Sequence, residues 1–543
     1  MIIKESEKIE KLTKKLVSIN SVNNDSNKGE SKAAKYIYDY FSKNAYFKNH
    51  PNQLMMFDCE NNRHSTIAYI KGKTNKTIVL MGHIDTVEID DYGKAKKYAC
   101  NPDKIIDELI KHFDLDKKVL DDIKSNRYMF GRGTLDMKSG VAVNMVVLDY
   151  FTKHLDELNG SLLLLAECDE EGDSKGVISA LDKLIEIKEK EKFEYKACIN
   201  TDYSVSDNND RFMYLGTVGK LLPSFICIGK ESHVGSPFKG FDPSLLLSIL
   251  NKNISLNADL ADKSKDKTSV PPICLKQSDF KQSYTVQTAG SAYAYFNYML
   301  YTSSPVKVMN NCLRIAKNSF KETINLLNNN YKKYCKNNKL TYQKLPYEVN
   351  VYTFEEFDAY LRGSNPDYKN DIKAYAKKLV KDNPSIDIRE YSYKLVLKAY
   401  EYYELKKPVL IVYFGSTFYS NIETKDKKLR EAVYKTAEMI NTESKYDIKV
   451  SDFYPYISDM SYLSCPHSSK DIKAMLANCP YYEYRYDYPY EKTKQIEMPT
   501  VNIGTFGFDG HTYIERMEKD YCFNELPNLV YTTIINYFKR VNF

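Results

Sequence analysis

Four short apolar runs in this chain each stop at a side chain able to bind a metal, and that repeated ending constrains the fold more than any other feature of its 543 residues. Thr77–Met81 is β-branched or large and apolar without alternation, as expected of an inner parallel strand covered on both faces. Gly82 interrupts it, and His83 and Asp85 follow. Residues at i and i+2 of a strand share a side, so the two can face one cavity. Asp85 can then accept the second imidazole N–H and leave the other nitrogen of His83 for a metal. A satisfied histidine at a strand end is the plainer alternative. Ser161–Ala166 runs into CDEEGD, where Asp169, Glu170 and Glu171 crowd together. That crowding is costly unless a cation neutralises it or water solvates the turn. Lys196–Asn200 leads to Asp202, and MPTVNIGTFGFDGHTYIERM carries a short strand, a glycine-rich loop and His511, with Glu515 four residues on. In an open α/β sheet the carboxyl ends of parallel strands share one edge, where ligands bind.

A fifth candidate lies in YMFGRGTLDMKSGVAVNMVVLDYF. Gly131, Gly133 and Gly140 bracket Asp136 ahead of an apolar helix over Val141–Phe151. A carboxylate there is either an N-terminal cap or a metal ligand held by a tight backbone. Together, His83, Asp136, Glu171, Asp202 and His511 suit two zinc ions that share a bridging carboxylate and keep a position open for water. Cobalt and manganese are alternatives on residue type. Glu170, next to a ligand, is the natural general base.

The length calls for two or three compact units. The net charge of +6 comes from 78 basic and 72 acidic residues interspersed along the chain. A nucleic-acid binder would concentrate its basic residues. Eleven cysteines without a CxxC pair point to reduced thiols. Lys4, Glu5, Glu7, Lys8 and Glu10 leave no room for a signal peptide, and no apolar run approaches the roughly 20 residues of a membrane helix. A cytoplasmic protein with no nucleic-acid or membrane partner is expected. Periodicity predicts helices over 4–19 and Ser31–Phe41, and strands at Leu54–Phe57 and Ser65–Ile70.

The ordered set HIDTV, GRGTLDMKSG, DEEG, TD and GFDGH resembles the zinc-dependent aminoacylase, carboxypeptidase and desuccinylase superfamily, metallopeptidase family 20, over the whole chain. The resemblance implies an α/β architecture: a mostly parallel-sheet di-metal catalytic domain, residues 1–211 and 422–543, with an inserted α+β lid at 212–421. It implies one metal on His83, Asp136 and Asp202 and another on Asp136, Glu171 and His511, with Asp85 orienting His83 and Glu170 as base. The peptide bond after Asp136 would be cis. GKESHVGSPFKG fits the opening strand and turn of the lid, and His233 would polarise the scissile carbonyl; an exposed loop histidine is the alternative. KHFDLD, ISDMSYL and GHTYIERM are similar to the arginine-utilisation branch, which is associated with arginine catabolism.

Two segments depart from the family pattern. FYPYISDMSYL, Phe453–Leu463, stands where many relatives have Gly-Gly-Ser/Thr-Asp, and SAYAYFNYML, Ser291–Leu300, lacks the arginine usual on that lid strand. Tyr293 and Tyr295 either line the cleft or pack. Extra helices near Phe354–Leu361 and Tyr391–Tyr403 enlarge the lid. In some relatives a doubled lid stands in for a partner subunit, so a monomer is expected, with a homodimer as the alternative. The expected activity is hydrolysis of an amide or peptide bond in a small amino-acid-derived substrate. An N-acyl amino acid hydrolase is the runner-up. A catalytically silent ligand-binding protein on the same fold would tolerate loss of the base or a ligand, yet all are present.

Overall fold

The computed structural model describes residues 2–24, 28–204, 206, 210–265, 267–482 and 484–539. The chain divides into two compact units: Met1–Val218, Ile422–Cys465 and Glu491–Phe543 form the first, Gly219–Asn421 and Pro466–Tyr490 the second.

The first unit is built on a nine-stranded sheet. Its labelled strands are β1 (Leu54–Cys59), β2 (Arg63–Ile70), β3 (Lys76–His83), β5 (Ser161–Glu167), β6 (Glu194–Asn200) and β7 (Asp210–Thr217), while β4 (Tyr128–Phe130) belongs to a separate three-stranded sheet. The order is β1-β2-β5-β3-β6, then Thr500–Ile503, β7 and Ile422–Glu423, with Asp447–Ser451 also on β7. The four apolar runs are four adjacent strands: β5, β3, β6 and Thr500–Ile503 are mutually parallel. Their carboxyl ends therefore meet at one edge. Antiparallel pairings flank this parallel centre and make the sheet mixed.

β3 and β5 are buried along their length apart from Lys76, which is why neither alternates. Helix Lys138–Lys153 packs on both strands, and its run Val141–Asp149 is buried all round. The N-terminal helix, Ser6–Val17, buries the predicted stripe of Ile9, Leu12, Leu16 and Val17.

The second unit holds a six-stranded sheet ordered Ile273–Asp279, Ser291–Leu300, Pro223–Ile228, Val409–Phe414, Val351–Thr353, with Gly219–Leu221 on Ser291–Leu300. Helices Pro243–Ile254 and Pro305–Asn337 pack on it. Between Val351–Thr353 and Val409–Phe414 lie three further helices, Phe354–Ser364, Tyr368–Asp382 and Ile388–Tyr400. Thr353 and Glu356 form a reciprocal cap at the start of the first.

The second unit ends at Asn421 as expected, but it begins later than residue 212 and takes in a further segment. β7 pairs with Thr500–Ile503 and Asp447–Ser451, so the first unit runs on to Val218. Pro466–Tyr490 returns to the second unit, where Phe414 N donates to Asn478 O at 2.9 Å and His467 Nε2 meets Asn421 Oδ1 at 2.8 Å. His467 is buried, and burial pushes its pKa down to about 4, against a weaker upward pull from Asp471. As pH falls below about 6.5 the unfolded chain takes up this proton before the folded one. Stability is therefore expected to fall by about 3 kcal/mol between pH 6.5 and pH 4 through this group alone. Denaturant unfolding across that range should show the loss in the wild type and not in His467→Gln; equal slopes in the two proteins would reject the assignment.

Candidate metal centre

The edge formed by the parallel strands collects nearly all the candidate side chains. At the end of β3, His83 and Asp85 are both buried. Gly82, inside β3 just before His83, allows close approach: a Cβ there would meet Met137 Cε at 2.6 Å. Asp136 stands in the loop after β4, where Gly131 and Gly133 take φ of +128° and +80°, values that suit glycine. The Asp136–Met137 peptide is cis.

The two carboxylate oxygens of Asp136 serve different imidazoles. Oδ1 lies 2.9 Å from His83 Nε2, and Oδ2 lies 2.8 Å from His511 Nε2. His511 Nε2 is also 3.0 Å from Glu171 Oε1. His83, Asp136 and Glu171 each offer a ligand atom within 4.8 Å of the others. On the far side of its ring, His83 Nδ1 lies 3.4 Å from Asp85 Oδ1 and 3.2 Å from the Asp85 carbonyl. Glu170 Oε2 is 4.0 Å from His83 Nε2.

Asp202 is buried at the end of β6 and interacts electrostatically with Asp136 and His83. Its Oδ1 accepts the Tyr203 N–H at 2.7 Å. His233 belongs to the second unit, in an exposed turn. Its Nδ1 accepts the Gly235 N–H at 3.0 Å, which leaves the proton of the neutral ring on Nε2 as a donor.

The crowd of three carboxylates after β5 is divided. Asp169 turns away: its Oδ1 lies 3.4 Å from Arg63 Nε and accepts from Asn23 Nδ2 at 3.0 Å, and its Oδ2 accepts the Lys175 N–H at 3.1 Å. Glu30 supports the same turn, accepting from Arg63 Nε and from the Asp169 N–H, both at 2.9 Å. Glu170 and Glu171 are left for the site. Two asparagines that sequence reasoning missed complete the frame. Asn23 Nδ2 also donates to Asp85 Oδ2 at 2.8 Å, and Asn502 brackets the Asp202 backbone, accepting its N–H at 3.1 Å and donating to its carbonyl at 2.7 Å. Asn502 lies in the strand next to β6, at the position paired with Asn200, a pairing that no local sequence pattern marks.

The electrostatics describe a cation site. Burial pushes Glu170 well above the usual carboxylate range, with Asp459, Glu171 and Asp202 adding to the rise against the pull of His83. Burial and the charge of Asp136 push Asp202 up to about 7. Asp136 goes the other way: hydrogen bonds from His511 and His83 outweigh its burial and hold it well below the usual range. His511 is pushed up to about 11 by Asp136 and Glu171. An imidazole nitrogen facing a carboxylate at 2.8–2.9 Å needs either a proton or a metal ion between them. The donor set of two imidazoles and several buried carboxylates fits a divalent metal of the zinc type.

A mixed α/β sheet with a carboxylate-bridged histidine pair at its parallel edge defines a metallohydrolase. The chain belongs to Peptidase family M20/M25/M40, whose family model matches residues 79–475, and it is a hydrolase of peptide or amide bonds. It is 30% identical to Protein RocB of Bacillus subtilis (strain 168), over 98% of this chain and 95% of that protein. It is 29% identical to the uncharacterized protein YqjN of the same strain, over 93% and 92%. Among solved structures, an M20 family metallo-carboxypeptidase from Sulfolobus solfataricus shares the fold with a TM-score of 0.53 and 11% identity, covering 98% of this chain and 99% of that one. Among the described residues, no helix is long and apolar enough to cross a membrane.

Proposed function

We propose that this chain is a co-catalytic di-zinc hydrolase that cleaves an amide or peptide bond in a small amino-acid-derived substrate, in cytoplasmic arginine or other amino-acid catabolism. What supports this reading above all is the pairing of each Asp136 oxygen with a separate histidine Nε2, at 2.9 and 2.8 Å, the arrangement a bridging carboxylate requires. His83, Asp136 and Asp202 would hold one ion, and Asp136, Glu171 and His511 the other. Bound there, the ions supply Lewis acidity for activating water and polarising the scissile carbonyl.

The remaining work falls to the chain's own side chains. Asp85 holds His83 in one tautomer through Nδ1. Glu170, buried and not required as a ligand, takes the proton of the attacking water on its carboxylate and passes it to the leaving amine. His233, with its proton on Nε2, is the donor assigned to the carbonyl oxygen as negative charge develops there.

The deciding experiment is amine release by zinc-loaded protein from dipeptides and N-acyl amino acids rich in arginine. Release from at least one substrate, abolished by chelation and restored by zinc, is the expected outcome. Turnover unaffected by exhaustive chelation would sink the di-zinc reading.

A further inference from the structure

Glu515 has no part in the ligand set, yet the two loops of the metal centre converge on it. It is fully buried. Its Oε1 accepts three backbone N–H groups from the Asp136 loop: Gly133 at 2.8 Å, Leu135 at 3.1 Å and Asp136 itself at 3.4 Å. Its Oε2 accepts from Arg132 Nη1 at 2.8 Å, and the other end of that guanidinium reaches both oxygens of Asp91 at 3.1 Å. The Glu515 backbone closes the join: its carbonyl accepts from Gly131 N at 3.1 Å, and its N–H donates to Thr512 O at 3.0 Å, one residue beyond His511. Three N–H groups and a guanidinium converging on one carboxyl make a cradle that resists displacement of either stretch of backbone.

We propose that Glu515 is a positioning residue that sets the spacing of Asp136 against His511, and through it the affinity of the metal centre, without touching metal or substrate. The inference rests on the reading of the metal centre given above. His83, His511 and the two Asp136 oxygens would have to reach the same ions together, and ligand distances tolerate only about 0.2 Å, so a small shift of either loop would degrade the site. Glu518, at the end of the short strand Arg516–Glu518 that follows, supplies the control. It is equally buried and is held by Arg127, Arg211 and Tyr446, none of which lies in the Asp136 loop.

The test is zinc titration of the metal-depleted full chain, with thermal unfolding of the same samples, for the wild type, Glu515→Gln and Glu518→Gln. Glutamine keeps an acceptor for the N–H groups but turns its amide towards Arg132, so it loosens the cradle without emptying the site. Zinc affinity is expected to fall roughly 10–100-fold in Glu515→Gln, the range typical of lost partners behind a metal ligand, and to stay within about threefold in Glu518→Gln. kcat should fall with affinity while KM holds. Equal zinc affinity in Glu515→Gln and the wild type overturns the inference, as does an equal loss in both variants, which would mean general loosening. Should Glu515→Gln fail to fold, Arg132→Met frees the other end of the same clamp, and unchanged zinc affinity there also overturns it. A wild type that binds no zinc overturns the reading of the centre and this inference with it.

Discussion

Glu170→Gln is expected to lower kcat roughly a thousandfold while leaving zinc content unchanged. The size follows from the role: a positioned general base contributes typically 10²–10⁴-fold, and about 4 kcal/mol of barrier is the corresponding figure. The separation of the two readouts follows from geometry. Glu170 Oε2 stands 4.0 Å from His83 Nε2, whereas Asp136 and Glu171 approach the histidines at 2.8–3.0 Å. An amide at position 170 keeps the volume and removes the proton acceptor. It also relieves the crowding of buried carboxylates that raises the pKa of Glu170, so folding stability should not suffer. The variant's zinc content and steady-state kinetics, measured on one preparation, decide the matter. Near wild-type turnover would mean that another group takes the proton, and zinc loss would mean that Glu170 is a ligand.

The parallel centre of the first unit was legible because burial on both faces leaves a plain trace. An inner strand needs no polar alternation, and β3 and β5 show none; β6 is buried throughout only from Ala197 on, and Thr500–Ile503 is buried along its length although polar and apolar residues alternate in it. The flanks were not legible in the same way. The pairing of β2 with β5, antiparallel, is chosen by contacts between segments far apart in the chain, which no local pattern encodes. The return of Pro466–Tyr490 to the second unit was missed for the same reason: it depends on partners such as Asn421 and Phe414, and the segment itself carries no marker of a crossing.

At the site, residue types at strand ends revealed which side chains could meet, since the i, i+2 spacing of His83 and Asp85 and the glycines around Asp136 are local. The fate of Asp169 was different. Its charge is met by Arg63 and Asn23, and the turn is propped by Glu30, three residues that the sequence places on other elements. Three adjacent carboxylates thus looked alike in sequence, while burial and distant partners gave them separate duties. The same holds for Glu515, which sequence spacing marked only as four residues beyond His511.

His83→Ala and His511→Ala are each expected to lower zinc content, but with different costs to the fold. The His83 side chain is 2% exposed and sits between Asp136 and Asp85, themselves buried. Removing it takes one partner from each of two buried carboxylates, Asp136 keeping His511 and Asp85 keeping Asn23, and breaking a buried pair in this way typically costs about 3–5 kcal/mol. The His511 side chain is 46% exposed, so water can solvate what its removal uncovers. It also holds a φ of +65°, a conformation that alanine adopts no more readily, so the backbone there neither gains nor loses much. His83→Ala should therefore lose metal and unfold at a markedly lower temperature even when metal-depleted. His511→Ala should lose metal with its metal-depleted unfolding close to that of the wild type. Elemental analysis after dialysis, together with thermal unfolding of the metal-depleted proteins, reads both quantities. Unchanged zinc in either variant would remove that histidine from the ligand set. A fold as stable in His83→Ala as in His511→Ala would mean that the Asp85–His83–Asp136 chain is not what holds the end of β3 in place.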